Sequence, residues 1–209
     1  AKKGLPEITH LLLNRIDQLT PELAQDLDLI SGTLAAAAAH DHQEMVAWLL
    51  NPQTNSRANQ ITPPNLRWAF QCAAGHGHQD MVAWLLNPQT NPRAAEITAN
   101  KLGEALEDAA SFGHQDMVAW LLNLQTNPRA AEITVDDLGV ALVEAAKFGH
   151  QGMVAWLLNP QTNVRAHEIT RDKRIRAEAF TELRKHERHA NGRPLRKHID
   201  AFRGFISVT

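Results

Sequence analysis

The stretch LGEALEDAASFGHQDMVAWLLNLQTNPRAAEIT, residues 102–134, recurs along the chain. His42, His78, His114 and His150 lie 36 residues apart, and each is followed by Gln, a variable residue and Met-Val-Ala-Trp-Leu-Leu-Asn. A fixed period of this size marks stacked supersecondary units, each too small to bury its own apolar face without a neighbour.

Each period reads as two short helices. Leu102, Ala105, Leu106 and Ala109 follow the spacing of one helical face, and Met117, Val118, Leu121 and Leu122 form a second stripe. Gly113 between them supplies the left-handed or tight conformation that ends the first helix and turns the chain back. Neither helix is long enough to persist alone in water, so each must pack on its twin and on the next repeat. The second helix stops at Asn87-Pro88 and Asn159-Pro160, where the residue before proline is pushed out of the helical region. A polar finger follows, carrying Gln-Thr-Asn and then Arg57, Arg93, Arg129 or Arg165, and closing in Ile-Thr. Thr62, Thr98, Thr134 and Thr170 are expected to cap the next first helix, Thr62 with Pro63 behind it and Thr134 with Asp137 three residues on.

The expected fold is an all-α solenoid of four helix-turn-helix repeats over residues 27–170, between helical caps at residues 1–26 and 171–209. In the first cap, Ile8, Leu11, Leu12, Ile16 and Leu19 share a helical face, and Thr20-Pro21-Glu22 starts a further helix. Beyond Thr170 the repeat breaks: Arg174 stands where Leu is due, and Thr181-Glu182 where Ala-Ala is due. There Ala177, Phe180 and Leu183 still give one apolar face. Asn191-Gly192-Arg193-Pro194 is read as a turn, and Leu195, Ile199, Phe202 and Phe205 as the inward face of a last helix.

The run Ala109-Ala110-Ser111-Phe112-Gly113-His114-Gln115-Asp116-Met117-Val118-Ala119-Trp120-Leu121-Leu122 resembles the core of an ankyrin repeat. That family has an Ala-Ala pair, Gly-His, an acid, apolar residues and a Leu-Leu pair in the same order. The chain departs from it in the 36-residue period, in Glu104-Ala105-Leu106-Glu107 where the family has Thr-Pro-Leu-His, and in Pro-Gln-Thr-Asn at the finger. The finger and the Ile-Thr helix starts are further similar to ankyrin-repeat effector proteins of bacteria that live inside eukaryotic cells. This resemblance implies a cytoplasmic binding protein delivered into a host cytosol, with a host protein as partner.

Composition narrows the remaining classes. The 209 residues, 44% of them hydrophobic, suffice for a sizeable core, and the repeat favours one elongated domain. No apolar run approaches the ~18 residues of a membrane helix, and no secretory leader is visible. A single cysteine, Cys72, rules out an internal disulfide framework and suits a reducing compartment. The net charge of −2 conceals an acidic array, −8 over residues 1–170, and a basic end, +6 over residues 171–209.

No enzyme chemistry emerges from this pattern. His40-Asp41-His42 and His76-Gly77-His78 look like metal pairs, but the repeated histidines stand one repeat apart, about 10 Å, the spacing of packed helices, and cannot share an ion. In the ankyrin family the Gly-His histidine bonds to neighbouring turn backbone. His186 and His189 lack nearby Cys or carboxylate partners. Cys72 has His76 four residues on, but nothing marks an electropositive setting for a nucleophile. No phosphate-cradling glycine loop is present. Neither metal nor cofactor nor small-molecule substrate is expected. Trp48, Trp84, Trp120 and Trp156 are identical in all repeats and read as a packing ladder. The finger arginines read as a second ladder, with Glu96, Glu132 and Glu168 nearby.

The chain therefore reads as a monomeric, non-enzymatic scaffold for protein–protein interaction. Positions kept in every repeat serve the scaffold, so specificity falls to those that differ. On the outward side of the first helices these are Trp68, Glu104 and Val140, then Cys72, Asp108 and Glu144, then His76, Phe112 and Phe148. The family binds through this concave helix face and the finger tips. Exposed aromatics supply anchors, and the carboxylates favour a partner with a basic surface. Two other readings start from the ends of the chain. Leu5-Pro6-Glu7 with Ile16 and Leu19-Thr20-Pro21-Glu22 resembles the start of an F-box, which implies a substrate-recruiting arm of a ubiquitin-ligase adaptor or larger effector enzyme. The segment Arg184-Lys185-His186-Glu187-Arg188, echoed by Arg196-Lys197-His198, would suit nucleic acid or an anionic membrane, but acids interrupt it and a solvated face is favoured.

Overall fold

A computed structural model describes residues 27–189. The segment read above as an N-terminal cap (1–26), the part of the C-terminal cap beyond residue 189, and the F-box-like residues lie outside the described residues. Among the described residues every regular element is a helix and none is a strand. Two compact units divide the chain between Thr98 and Ala99.

The unit up to Thr98 holds helices α1 (Leu27–Ala39), α2 (Gln43–Leu50), α3 (Pro63–Gly75) and α4 (Gln79–Leu86), with 3₁₀ turns at Ala58–Gln60 and Ala94–Glu96. The unit from Ala99 holds α5 (Ala99–Ser111), α6 (Gln115–Leu121), α7 (Val135–Lys147), α8 (Gln151–Leu158), α9 (Ala166–Arg171) and α10 (Lys173–His189), with a 3₁₀ turn at Pro128–Glu132. In each unit the first helices of successive repeats pack side by side, α1 on α3 and α5 on α7, and α10 continues the second row against α7. The core is the repeated stripe. Met45, Val46, Leu49 and Leu50 are buried, and so is every counterpart in α4, α6 and α8. Leu102, Ala105, Leu106 and Ala109 are fully buried on α5.

The turns between paired helices depend on one backbone conformation. Gly77, Gly113 and Gly149 have φ of +75° to +78°, the left-handed region open to glycine. Gly113 has a second constraint: a Cβ there would lie 2.7 Å from the His150 ring. That ring approaches closely because its Nε2–H donates to the Ser111 carbonyl at 2.8 Å. His78 Nε2 makes the same bond to Ala39 at 2.8 Å. These histidines therefore tie one repeat to the turn of the preceding one, as the family resemblance implies. In the first repeat the turn residue is Asp41, exposed and held at φ +57°. An L-residue is strained there, so Asp41→Gly is expected to stabilise the protein by about 0.5–1 kcal/mol, net of glycine's larger unfolded-state entropy. A raised urea midpoint is the observable, and an unchanged or lowered one refutes the strain.

The finger is a turn and a 3₁₀ helix held by asparagine. Asn51, Asn87, Asn123 and Asn159 each accept the amide of the Gln two residues on, at 2.9 Å. Thr54, Thr90 and Thr162 hydroxyls donate to the carbonyls of Trp48, Trp84 and Trp156. A second asparagine, Asn55, Asn91, Asn127 or Asn163, is buried. Its Nδ2 donates to the carbonyl of Leu49, Leu85, Leu121 or Leu157 at 2.8–2.9 Å. Its Oδ1 accepts the amide of Arg57, Arg93, Arg129 or Arg165 at 3.1 Å. Proline is therefore not what stops the second helix. The third repeat has Leu124 in its place, and α6 ends within a residue of its counterparts, with the same asparagine bonds.

The arginine ladder is scaffold. Arg93 forks onto Glu96 at 2.8 and 2.7 Å while its Nη2 donates to the Ile61 carbonyl of the preceding finger at 2.7 Å. Arg165 forks onto Glu168 while its Nη1 donates to the Ala130 carbonyl of the preceding finger at 3.3 Å, and Arg129 forks onto Glu132. The guanidinium hydrogen bonds hold the Glu132 and Glu168 carboxyls below the usual range. The tryptophans of this stripe are half-buried rather than core.

Two local expectations fail at the end of the array. Thr170 does not cap a helix: it lies within α9, and its hydroxyl donates back to the His167 carbonyl at 3.2 Å. Asp172 takes the cap position instead, its Oδ1 accepting the Arg174 and Ile175 amides at 2.8 and 3.2 Å. The helix thus starts later than the repeat dictates, and the inward residues become Ile175 and Ala179, both buried. Ala177 is exposed and Phe180 only half-buried, so the expected Ala177 and Phe180 face is rotated away from the core. The Leu183 side chain lies outside the described residues. Ile175 fits because Gly139 is opposite; a Cβ at 139 would be 2.5 Å from its Cδ1.

Candidate protein-binding interface

In the first unit the outward strip is a single helix face. The buried side of α3 is Leu66, Ala69, Phe70, Ala73 and Ala74. This leaves Trp68, Cys72 and His76 at four-residue intervals on the other side. Trp68 is 50% exposed. Thr62 and Asn65 start the helix, the Asn65 Oδ1 accepting both the Thr62 amide at 2.8 Å and its hydroxyl at 2.6 Å. Cys72 is half-buried, and His76 Nδ1–H donates to the Cys72 carbonyl at 2.8 Å. The His76 ring therefore meets the backbone of residue 72, while its face lies 6.1 Å from His78 in a parallel stack.

In the second unit α5 presents Glu104, Asp108 and Phe112, and α7 presents Val140, Glu144 and Phe148. The capping box at Thr134 sets the start of α7, with Asp137 N–H on Thr134 Oγ1 at 3.2 Å and Thr134 N–H on Asp137 Oδ2 at 2.7 Å. Packing of α5 on α7 brings the two strips together. Glu104 is paired with Lys101, and Glu144 with Lys147 at 3.0 Å. Lys147 Nζ also stands 5.3 Å from the centre of the Phe148 ring. Phe112 and Phe148 are 65% and 53% exposed, so neither ring closes its turn from within. Val140 is exposed on the same face.

One acid of this face escapes the sequence reading. Glu107 sits between the two strips, its carboxyl pushed up first by burial and then by Glu144, Asp108 and Glu104, with Lys147 opposing. Asp108 is pushed up by burial and by Glu104, against Lys101. Lys101, three residues before Glu104, was the only local sign that these carboxylates gather charge between them. Among the described residues no group of His, Cys, Asp and Glu could hold a metal ion, and no helix is long and apolar enough to cross a membrane.

Residues 34–137 match the family model for ankyrin repeats, in 3 copies. Comparison with curated proteins and with solved structures found no match. Residues 34–137 are thus ankyrin repeats, and the all-helical architecture of the described residues is consistent with an ankyrin-repeat solenoid. Ankyrin repeats generally mediate protein–protein interaction and are typically non-catalytic. The matched residues run from α1 into the first turn of α7, and the α7–α8 pair beyond them repeats the same stripe and finger.

Proposed function

We propose that this chain is a non-enzymatic scaffold that binds a partner protein through the outward strips of α3, α5 and α7 and the finger loops. The observation that carries the reading is the division of labour along each repeat. The stripe that packs each second helix and the asparagines that tie each finger recur in all four repeats, whereas the outward positions change from repeat to repeat. Trp68 is half exposed where other repeats have Gly32, Glu104 and Val140, so no packing rule demands it. A large aromatic in such a place is the kind of anchor that dominates interface energies.

The partner has a basic surface. Glu104, Glu107, Asp108 and Glu144 crowd one face, and the Glu107 and Asp108 carboxyls are raised first by burial and then by their acidic neighbours, a charge that a cation would offset. The resemblance of the fingers to those of effector proteins supports a host protein as that partner and a host cytosol as the place of action. Capture from eukaryotic lysate supplies the partner. Its affinity is expected to fall about tenfold, about 1.4 kcal/mol, on Trp68→Ala or on the pair Glu104→Lys and Asp108→Lys, with the helical spectrum unchanged. Unchanged affinity in both variants removes these strips from consideration.

A further inference from the structure

In the second unit the row of first helices ends in a groove. It lies between α7 and α10, holds a cavity of about 480 Å³, and is lined by Val140, Val143, Glu144, Arg174, Ile175 and Glu178 together with Asp136 and Gly139. Its origin is the shifted start of α10. Asp172 begins the helix late, Ile175 rather than residue 174 becomes the anchor, and its side chain settles over Gly139. The result is an apolar floor of Val140, Val143 and Ile175 beneath acidic walls. Val140 is 42% exposed, an open apolar surface within the groove.

The walls carry three carboxylates against one guanidinium. Arg174 reaches Asp136 at 3.7 Å with both side chains near 80% exposed, 78% and 84%, too long and too wet to be worth much. Glu144 is held by Lys147 on the α7 side. Glu178 is exposed one turn beyond Ile175 and has no hydrogen bond or ion pair among the described residues. An apolar trough ending in unneutralised carboxylate matches one kind of side chain: a long aliphatic stem with a cationic head.

We infer that the α7–α10 groove receives an arginine side chain of the partner protein, its methylenes on Val140, Val143 and Ile175 and its guanidinium on Glu178. The inference rests on the proposed protein-binding role and extends it, because Val140 and Glu144 belong both to the outward strip and to this groove. It makes the end of the array a selective pocket for a basic side chain, beyond a diffuse acidic field.

The test uses the full chain with labelled methyl groups and the peptide acetyl-Leu-Arg-Leu-Arg-Leu-amide as probe. Saturable shifts of the Val140, Val143 and Ile175 methyl resonances are expected. The same peptide with citrulline for arginine keeps the stem and loses the charge, and should bind about tenfold more weakly. Glu178→Lys, an exposed change that leaves the core intact, should weaken the arginine peptide by about the same factor. Methyls that stay still, citrulline that binds as well as arginine, or indifference to Glu178→Lys each overturn the inference. So do methyl shifts that follow protein concentration alone, since a second copy would then fill the groove. The peptide experiment needs no cellular partner, so its failure leaves the Trp68 strip standing. Loss of the strip's role on Trp68→Ala, conversely, says nothing against the groove.

Discussion

Asn127→Asp is expected to lower the unfolding free energy by about 3–5 kcal/mol, the range for leaving a buried charge without a partner. Asn127 is 1% exposed and uses both ends of its amide. Nδ2 donates to the Leu121 carbonyl at 2.9 Å, and Oδ1 accepts the Arg129 amide at 3.1 Å. A carboxylate keeps the second bond but turns the first into an oxygen facing an oxygen. Desolvation would raise the new carboxyl's pKa in the fold above its unfolded value. The protonated form donates again, so stability is retained at pH below the unfolded value and is lost as pH rises through the folded one. Asn127→Ala removes both bonds without adding charge and should cost about 2–3 kcal/mol with no such pH dependence. Urea denaturation of both variants across pH measures the difference. A loss under about 1 kcal/mol for Asn127→Asp means that water reaches the finger and solvates the carboxylate.

This residue shows where sequence reading stops. The helices are legible because burial imposes a period: the spacing of Leu102, Ala105, Leu106 and Ala109 has one explanation. Gly113 is legible because its left-handed backbone excludes most alternatives. Asn127 has no such signature. In a polar loop, asparagine reads as solvated, and nothing local says that its amide points back at the preceding helix. Its recurrence as Asn55, Asn91 and Asn163 was the available sign, since an exposed loop residue has no reason to persist at a fixed distance from the Leu-Leu pair. The proline of Asn-Pro took the credit for stopping the helix, and Leu124 in the third repeat shows that the asparagines suffice. At Thr170 the repeat itself misled. Extrapolating the period put a cap there, whereas Asp172, a good helix starter in its own right, competes for the role and shifts every inward position of α10.

The outward positions were legible for the complementary reason. Once the buried face of a first helix is known, the opposite face follows from the same geometry. Trp68, Phe112, Val140 and Phe148 are all exposed. What spacing cannot convey is contact between helices. Glu107 joins the acidic cluster only because α7 brings Glu144 beside α5, and the groove over Gly139 exists only because α10 starts late.

Leu121→Ala is expected to cost about 2–5 kcal/mol, the range for emptying a buried leucine site. Leu121 is fully buried, as are Leu49, Leu85 and Leu157 in the other repeats. Its side chain is packed in a short helix that has little stability of its own, so the lost contacts are not replaced by helix propensity. The backbone of the same residue receives the Asn127 amide, so the two sites are coupled. A cavity at 121 lets the end of α6 relax and loosens the acceptor that Asn127 needs. The double variant Leu121→Ala with Asn127→Ala should therefore lose less than the two single losses added together, by about 0.5–1 kcal/mol or more, the coupling typical of residues that share a partner. Leu121→Ala combined with Asn91→Ala offers the control, since Asn91 serves Leu85 and shares no partner with Leu121. Additive losses in the first pair would separate core from finger. A coupling seen there and missing from the control would show that each finger is held by the helix that precedes it, which is what lets the repeat keep its loops fixed while its outward residues vary.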